Sequence, residues 1–360
     1  MPDVAVGVVG AGTMGAGIAQ VALENGHEVV VHDVDASALA AGRERIREGL
    51  SRRAAKLGLD ADSIDAWVDG RLERLREAET LALLAAEADV VIEAALEDLG
   101  LKQEIFRALD SAAEPAAILA TNTSALSIAA IASVTSRPER VVGLHFFNPA
   151  PLMPLVEVVS GPATAPAVTD RVAALVESWG KTAVRCADSP GFIVNRVNRP
   201  FTIEALRMVE AGEATVEAVD EAMRAAGYPM GPFELMDYIG LDVNLATARG
   251  IWEGLGRPDR LRPSPIQERL VEAGRLGRKA GEGFYRYAEG HRGEAVAQFA
   301  TANGTLDREA IADQIVAAIR AEALRARDEG VAAESDIDTA LRLGAGHPAG
   351  PFEAARAGLG

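Results

Sequence analysis

The sequence predicts an α/β protein with an N-terminal doubly wound sheet, followed by an all-α C-terminal domain that contains a duplicated helical unit. Short apolar runs alternate with helical spacings over residues 1–188, which is typical of strands joined by helices. From residue 189 onward, most of the chain has helical spacing interrupted by glycine and proline, and one eight-residue pattern occurs twice. These observations place a domain boundary near residue 188.

The first predicted strand and helix flank a glycine-rich turn. An apolar run leads into Gly10-x-Gly12-x-x-Gly15, and a helical pattern follows at once. In a dinucleotide-binding βαβ unit of the Rossmann type, the first glycine permits the tight turn, the second lets the backbone approach a pyrophosphate, and the third lets the helix pack against the strand. The N–H groups of the first helical turn, around Thr13 and Met14, would then face the phosphate charge.

Asp33 ends the second apolar run, roughly 20 residues after the glycines. A carboxylate at this spacing bonds both ribose hydroxyls of NAD, whereas the 2′-phosphate of NADP would meet like charge. Val34 and Asp35 follow, so no adjacent arginine offers a clamp for that phosphate. An ordinary N-cap at the start of the next helix is the alternative for Asp33, and the two roles can coexist. The predicted cofactor is NAD.

The elements that follow continue the alternation. We expect a long polar helix over residues 37–56, a helix over 101–109, and strands over 88–93, 117–120, 140–145, 155–159 and 182–186. Short apolar runs separated by helices indicate a parallel, doubly wound sheet. We therefore assign residues 1–188 to an NAD-binding Rossmann domain.

The helical half contains an internal repeat. The tetrapeptide E-A-L-R at 204–207 recurs at 322–325, and the pattern G-x-P-x-G-P-F-E at 227–234 recurs at 346–353. The second match is too long to be a chance similarity between alanine-rich helices. We therefore predict a helical substrate and dimerisation domain over 189–287, a linker over 288–305, and a second, partial copy of the helical unit over 306–360.

His145 lies at the end of a predicted strand, where the carboxyl ends of an open α/β sheet face the ligand crevice. Histidine is well suited to accept a proton near neutral pH. Glu157 is a carboxylate inside an otherwise apolar strand, and burying it requires a partner such as an imidazole N–H. From residue types alone, a satisfied core histidine and a surface-facing glutamate remain equally open.

Two further polar residues are candidates for substrate contacts. Ser124 follows a predicted strand, where it would either cap the next helix or bond a substrate oxygen. Asn195 is polar on an apolar helical start, and a buried amide needs partners. Ser124, His145 and Glu157 superficially suggest an acyl hydrolase, but no G-x-S-x-G turn surrounds Ser124 and a hydrolase has no use for the glycine fingerprint. Alcohol oxidation with NAD and a histidine base accounts for all of these residues.

Composition excludes several other classes of function. The 360 residues are 49% hydrophobic and 25% charged, as in an ordinary globular protein, and the net charge of −17 argues against general nucleic-acid binding. The sequence contains no run of 18 apolar residues, so we expect no membrane span. We also expect no leader peptide, because no basic segment precedes the first strand. Cys186 is the only cysteine, so we expect no disulfide, no cysteine-built metal site and a cytoplasmic location.

Taken together, the motifs resemble the L-3-hydroxyacyl-CoA dehydrogenase family, which includes bacterial 3-hydroxybutyryl-CoA dehydrogenases. The resemblance extends from the N-terminus to about Tyr287. It rests on segments 10–20, 121–124, 145–149, 188–196, 227–234 and 277–285. It implies reversible, NAD-dependent oxidation of a 3-hydroxyacyl-CoA to the 3-ketoacyl-CoA, as in fatty-acid β-oxidation, with short chains such as 3-hydroxybutyryl-CoA favoured. The acyl-CoA substrate comes from the resemblance alone.

The resemblance also implies residue roles. His145 would be the general base, Glu157 would orient it, and Ser124 and Asn195 would hold substrate oxygens. Matches to the family's cofactor side are Glu97, Lys102, Asn148 and Lys279, and Lys56 matches a position that meets CoA. Gly49 replaces a family serine at the CoA side, so those contacts carry over only in part.

Alternatives within the resemblance stay open. Some members act on free sugar acids such as gulonate, and related lens crystallins are NAD-binding structural proteins. In this family the single helical domain is typically the dimer interface. We therefore expect either a homodimer that the second copy extends, or a monomer in which the second copy forms an intramolecular pseudo-dimer.

Overall fold

The computed structural model of the chain describes residues 4–299 and 306–357, and contacts divide the chain into two compact units, Met1–Asp188 and Ser189–Gly360. Strands of the first unit are β1 (Val6–Val9), β2 (Val29–His32), β3 (Leu75–Glu77), β4 (Val90–Glu93), β5 (Ile118–Thr121), β6 (Val141–Phe146), β7 (Leu155–Ser160) and β8 (Thr182–Ala187). Helices of this unit are α1 (Thr13–Glu24), α2 (Ala36–Lys56), α3 (Ala61–Leu72), α4 (Leu81–Glu87), α5 (Leu99–Ala112), α6 (Ile128–Ala132) and α7 (Pro166–Ser178).

Within the described part of the first unit, eight strands form one sheet in the order β3-β2-β1-β4-β5-β6-β7-β8. Its strands β1, β4 and β5 are buried over their whole lengths, which agrees with helices covering both faces. The strand order reverses between β1 and β4, and this is the place where doubly wound sheets bind ligands. The predicted fold class is thereby confirmed.

The direction of β7 differs from the expected parallel sheet. Strand β7 runs antiparallel to β6 and parallel to β8, whereas the pairs from β3 through β6 are parallel. The physical reason is the connection: a short loop over residues 147–154 joins β6 to β7, and without a crossover helix the chain can only turn back. Helices α3 and α4 and strand β3 were not predicted, because their polar or short segments carry weak periodicity.

The second unit is mainly helical. Its helices are α8 (Val194–Val197), α9 (Arg199–Glu210), α10 (Val216–Ala225), α11 (Pro232–Ile239), α12 (Leu241–Gly254), α13 (Pro265–Glu272), α14 (Arg308–Asp328), α15 (Glu334–Ala345) and α16 (Pro351–Arg356). Strands β9 (Tyr285–Ala288) and β10 (His291–Ala295) form an antiparallel hairpin that extends into the expected linker. Residues 300–305 of this linker lie outside the described residues.

The repeat is visible in hydrogen bonds as well as in sequence. Asp220 accepts the N–H groups of Phe233 and Glu234 at 2.9 and 3.1 Å, and thus caps α11. Its counterpart Asp338 accepts those of Phe352 and Glu353 at 2.8 and 3.1 Å, and caps α16. We call helices α8–α11 copy one and helices α14–α16 copy two.

The two copies pack against each other through reciprocal contacts. Helix α14 packs on α9 and α10. A Cβ atom placed on Gly227 would lie 3.2 Å from Pro348, and one placed on the counterpart Gly346 would lie 3.0 Å from Pro229. The rings of Tyr228 and its counterpart His347 meet with centroids 4.8 Å apart. Reciprocity of this kind is the mark of a two-fold, isologous interface, here formed within one chain.

Candidate active site

The glycine-rich turn follows β1 at the switch point. Gly10 has φ +97°, and a Cβ there would lie 2.7 Å from the Ala94 carbonyl oxygen. A Cβ on Gly15 would lie 1.9 Å from the Gly10 carbonyl oxygen, so only glycine lets α1 approach the turn. A Cβ on Gly12 would have no neighbour within 4 Å. The exposed surface at Gly12 is therefore the part of the turn that can receive a ligand.

The first turn of α1 presents its backbone to this surface. Gly12 is the N-cap and supplies no side-chain cap. Thr13 is exposed and Met14 half-buried. Uncapped N–H groups with the positive end of the helix dipole suit a phosphate group.

Asp33 ties the end of β2 to the glycine turn. Its Oδ2 accepts the N–H of Ala11 at 2.8 Å, and its Oδ1 accepts the N–H of Asp35 at 3.1 Å. The N-cap of α2 is Asp35, whose side chain accepts the Ser37 N–H, so the alternative N-cap role of Asp33 was wrong. Arg45 of α2 also reaches this turn and donates to the Ala11 carbonyl at 3.3 Å, which the sequence analysis missed.

A buried ion pair supports the loop that follows β4. The Lys102 ammonium is 1% exposed and donates to Glu93 Oε1 at 2.7 Å. It also lies 3.5 Å from Glu97 Oε2. Thr121 at the end of β5 donates to the other Glu93 oxygen at 2.7 Å. Lys102 is therefore buried beneath the loop that follows β4, whereas Glu97 of that loop is accessible from outside.

The loop that carries Ser124 is held by Glu97. The Glu97 Oε1 atom accepts Thr123 Oγ1 at 2.6 Å, the Ser124 N–H at 2.9 Å and the Ala125 N–H at 3.2 Å. Ser124 itself is exposed, and the cap of α6 is Ser127 rather than Ser124. Glu97 and Ser124, predicted for different ligands, therefore belong to one loop cluster at the carboxyl ends of β4 and β5.

His145 and Glu157 form a buried pair on neighbouring strands. They are directly opposite each other in the antiparallel ladder of β6 and β7. Glu157 is fully buried, and its Oε2 lies 2.6 Å from His145 Nδ1. A carboxylate at Nδ1 fixes that nitrogen as the N–H donor, so the lone pair is on Nε2. The antiparallel turn that the sequence analysis missed is therefore what brings the predicted pair together.

Two anchors fix the segment around His145. The side-chain oxygen of Asn122 accepts the Phe146 N–H at 2.8 Å, which ties the end of β6 to the loop after β5. Lys181 donates to the carbonyls of Ala150 and Met153 at 2.7 and 2.8 Å, which secures the loop after exposed Asn148. Burial lowers the pKa of Lys181. Nothing in the sequence pattern around Lys181 signals this role.

A cavity of about 270 Å³ lies between α2 and the loop that follows Asn148. Its lining residues are Gln20, Glu24, Gly49, Arg52, Arg53, Lys56, Pro149, Pro151 and Leu152. A Cβ on Gly49 would lie 1.9 Å from the Gln20 side chain, so the glycine makes room for that amide. Arg53 lies 3.6 Å from Glu24, and Arg52 lies 3.5 Å from Glu48. The cavity therefore combines three cationic side chains with apolar walls.

The two remaining predicted residues lie in the second unit. Asn195 is half-buried in the one-turn helix α8, next to buried Arg196. Lys279 is exposed and donates to both Asp242 oxygens at 2.7 and 2.8 Å, which lowers the Asp242 pKa. Asp237 was not predicted, although a carboxylate between the apolar residues Met236 and Tyr238 near the end of α11 could have signalled a role.

Asp237 supports the segment that carries Lys279. It is fully buried and accepts the N–H groups of Phe284 and Tyr285, each at 3.0 Å. A Cβ on Gly277 or Gly283 would collide with it. Burial raises the Asp237 pKa to about 6, although its donors oppose that shift.

Membrane-spanning helices and metal sites are two further features considered for the described residues. Over residues 4–299 and 306–357, no helix combines the length and the apolar character that a membrane span requires. Within those same ranges, no cluster of three His, Cys, Asp or Glu side chains is arranged to hold a metal ion.

Comparison with known families finds two matching descriptions. The description "3-hydroxyacyl-CoA dehydrogenase, NAD binding domain" matches residues 5–189. The description "3-hydroxyacyl-CoA dehydrogenase, C-terminal domain" matches residues 191–287 and also residues 311–358. The second, separate match agrees with the predicted duplication of the helical unit.

Individual relatives point the same way. The 3-hydroxyadipyl-CoA dehydrogenase of Escherichia coli K12 is 39% identical, over 96% of this chain and 89% of the relative. A mitochondrial hydroxyacyl-coenzyme A dehydrogenase of Rattus norvegicus is 45% identical, over 78% of this chain and 90% of the relative. The crystal structure of a 3-hydroxybutyryl-CoA dehydrogenase from Escherichia coli K12 superposes with a TM-score of 0.88 at 39% identity, over 99% of this chain and 91% of that one.

Proposed function

Because this chain belongs to the 3-hydroxyacyl-CoA dehydrogenase family, we propose that His145 is the general base in its NAD-dependent oxidation of an L-3-hydroxyacyl-CoA to the 3-ketoacyl-CoA. The observation that carries this role is the buried pair of His145 Nδ1 with Glu157 Oε2, at 2.6 Å. The pair lies on the same side of the sheet as the glycine turn, at the carboxyl ends of the parallel strands, where the cofactor of this enzyme family binds.

The chemistry divides between cofactor and protein. NAD, when bound, supplies the nicotinamide carbon that accepts hydride from C3 of the substrate. His145 accepts the 3-hydroxyl proton at Nε2, so the C3–O bond becomes a carbonyl as the C3–H bond breaks. Glu157 holds the required tautomer and stabilises the imidazolium that forms. In the reverse direction, the imidazolium returns the proton to the oxygen.

The residues around the glycine turn fit a dinucleotide. Open space at Gly12 and the uncapped first turn of α1, with Thr13 and Met14, suit the pyrophosphate. Asp33 would accept the ribose hydroxyls while keeping its bond to Ala11. Further cofactor-side contacts are proposed for Glu97, Asn148 and Lys279, with Lys102 acting through Glu97.

The substrate is an acyl-CoA, and two separate regions would hold it. Ser124 and Asn195 are proposed to bond the oxygens near the reacting carbon. The cavity beside α2 supplies Lys56 together with Arg52 and Arg53 for the anionic part of CoA. A free sugar acid has no phosphate groups for these cations to bind, so the cavity favours the CoA substrate. A short acyl chain such as 3-hydroxybutyryl is the proposed preference.

The proposal is tested by replacing His145 with glutamine. We expect kcat for acetoacetyl-CoA reduction to fall by about 10² to 10⁴, because a general base typically contributes that factor. NADH affinity, measured by fluorescence titration, should not change. The matched control is His27→Gln, which removes another buried histidine of this unit, bonded to the Val4 carbonyl, and should leave kcat unchanged. Turnover of His145→Gln within a few-fold of the parent would exclude the assignment.

Cofactor choice gives a second test of the same site. The Asp33 carboxylate would repel a 2′-phosphate, so kcat/KM should be higher with NADH than with NADPH. A higher value with NADPH would contradict the role proposed for Asp33.

We also propose that copy two occupies the place of a partner subunit's helical domain. The reciprocal contacts of Gly227 with Pro348 and of Gly346 with Pro229 support this. Light scattering should then give the mass of one chain, 37.7 kDa. A stable dimer at micromolar concentration would favour the alternative, in which copy two extends a homodimer.

A further inference from the structure

We infer that Glu322 of copy two is a positioning residue for the reaction, because it holds Arg196 and thereby the adjacent Asn195 of copy one. None of the groups proposed above to touch substrate or cofactor lies in copy two. The inference rests on the proposed substrate contact of Asn195. It adds that copy two, which contacts neither substrate nor cofactor in this proposal, positions a residue that contacts substrate.

Arg196 is fully buried and uses each of its three nitrogens. Its Nε donates to Glu322 Oε1 at 3.0 Å, its Nη2 to Glu329 Oε2 at 2.6 Å, and its Nη1 to Ser189 Oγ at 3.1 Å. Both carboxylates are supplied by α14. A buried guanidinium is tolerated only when such partners compensate its desolvation. The position of Arg196 is therefore set by copy two.

Glu322 is itself 1% exposed and is shared between two arginines. Arg260 donates to Glu322 Oε2 from Nε at 2.6 Å and to Oε1 from Nη2 at 3.2 Å, and this contact raises the Arg260 pKa. Two guanidinium groups thus face two carboxylates, those of Glu322 and Glu329. Because Glu322 contacts both arginines, its loss would leave Arg196 with Ser189 and with one carboxylate, that of half-exposed Glu329.

The backbone that carries Asn195 depends on such anchors. Helix α8 has four residues, which is too short to be stable by itself. The preceding residues Gly191 and Phe192 have φ values of +80° and +50°, and the second is uncommon for a residue with a side chain. The Arg196 N–H donates to the Gly191 carbonyl at 3.1 Å, which closes this turn. Fixing Arg196 therefore fixes the turn and the orientation of its neighbour Asn195.

The two copies differ in how this glutamate is used. Its counterpart in copy one is Glu204, which pairs instead with Arg207 on its own helix. The Arg207 side chain is 39% exposed, whereas that of Arg196 is fully buried. Glu204→Gln is therefore a matched control: it is the same change, at the equivalent position, without the link to α8.

The test is the Glu322→Gln variant, assayed by acetoacetyl-CoA reduction on the full chain. We expect kcat/KM for acetoacetyl-CoA to fall about tenfold, equivalent to about 1.4 kcal/mol. The KM for NADH should not change, and Glu204→Gln should behave like the parent. A loss that affects both substrates equally, or a Glu322→Gln variant within twofold of the parent, would overturn the inference.

A double-mutant cycle with Asn195→Ala separates positioning from general support of the fold. If Glu322 acts through Asn195, the double variant should be little worse than Asn195→Ala alone. Additive losses would overturn the inference and leave the role of Asn195 intact. A fully active Asn195→Ala would instead refute the proposed substrate contact, and the inference with it.

The Glu329→Gln variant covers the case in which Glu322→Gln does not fold. Glu329 is half-exposed, so its replacement threatens the fold less while removing one of the bonds to Arg196. We expect a loss of about threefold in kcat/KM for acetoacetyl-CoA, because a hydrogen bond between charged groups is weakened but Glu322 remains. Activity equal to that of the parent in this variant would overturn the inference.

Discussion

Copy one and copy two place the same helix face in different surroundings. The face of α9 is buried, whereas the equivalent face of α14 lines a groove. In copy one, Ile203 and Leu206 of α9 are 2% and 1% exposed, and Ile203 packs with Ile251 and Leu261 from the segments that follow the repeat. In copy two, the counterpart Ala321 is exposed and Leu324 is half-buried, and they line a groove of about 530 Å³. The cap at Asp220 and Asp338 is the same in both.

This difference distinguishes residues that stabilise the repeat itself from residues that only contact its neighbours. The aspartate cap serves the repeat itself, so both copies keep it. The outer helix face contacts different surroundings in the two copies, and part of it changes: Ile203 is replaced by Ala321 and Thr202 by Arg320, whereas Leu206 is kept as Leu324. The identity of a residue in a repeat therefore reports its neighbours as much as its place in the unit.

The largest expected effect concerns the shared cap. Asp220→Ala leaves the N–H groups of Phe233 and Glu234 and the Tyr285 hydroxyl without their acceptor in a fully buried place. We expect a loss of about 4 kcal/mol in the free energy of unfolding, since each orphaned buried group costs roughly 1–3 kcal/mol. Urea denaturation followed by circular dichroism measures this loss.

The same change in copy two is the matched comparison. Asp338→Ala removes the acceptor of two backbone N–H groups, and its remaining partner Arg356 is 61% exposed. We expect a loss of about 2 kcal/mol in the free energy of unfolding by the same measurement, because the exposed ion pair contributes little. Equal losses in both variants would show that the buried Tyr285 hydroxyl contributes no more to its cap than exposed Arg356 does.

A second pair of variants tests the covered and uncovered faces. Leu206→Ala should cost about 3 kcal/mol, because it opens a cavity in a packed core. Leu324→Ala, at the equivalent position on the groove, should cost about 1 kcal/mol, because water already reaches this side chain. Thermal denaturation of the two variants side by side decides the matter. A cost at Leu324 as large as that at Leu206 would mean that the groove is filled in solution.

The last comparison uses the pair of residues at which the copies meet. Burial lowers the His347 pKa to about 4, whereas it raises that of the counterpart Tyr228 to about 12. Between pH 6.5 and 4, His347 is mostly protonated in the unfolded chain but mostly neutral in the folded chain. The free energy of unfolding should therefore fall as pH drops through this window, by at most about 1.4 kcal/mol per pH unit from this group.

The His347→Gln variant isolates that contribution. Its free energy of unfolding should depend less on pH between 4 and 6.5 than that of the parent, as measured by urea denaturation at several pH values. The control is His291→Gln, which changes an exposed histidine of β10. The His291→Gln control should retain the pH dependence of the parent. If His347→Gln retains it as well, burial does not lower the His347 pKa in the folded chain.

The sequence predicted most of the fold because its strongest signals are local. Gly10, Gly15 and the apolar strands carry their structural reasons within a few residues, and the repeat is visible as a pattern. The direction of β7 was missed because it depends on the absence of a crossover helix, which apolar runs do not report. Short β3 and polar α3 were missed because their periodicity is weak.

The candidate site divides in the same way. His145 and Glu157 were predicted from residue types and strand ends, and the structure brings them within 2.6 Å. Lys181 and Arg196 were not predicted, since their partners are distant in sequence or are backbone carbonyls. Sequence reasoning finds groups whose chemistry is unusual for their place, and it overlooks ordinary cations that hold a loop. The roles of the site residues stay predictions until the variants are measured.

The two-fold contact inside one chain also has an evolutionary consequence. In a homodimer, every substitution at a two-fold interface appears on both sides at once, so neither side can change alone. Here Tyr228 and His347, or Glu204 and Glu322, are encoded separately. Each side can therefore specialise, one keeping the reacting groups and the other becoming a dedicated support, and dilution cannot separate them.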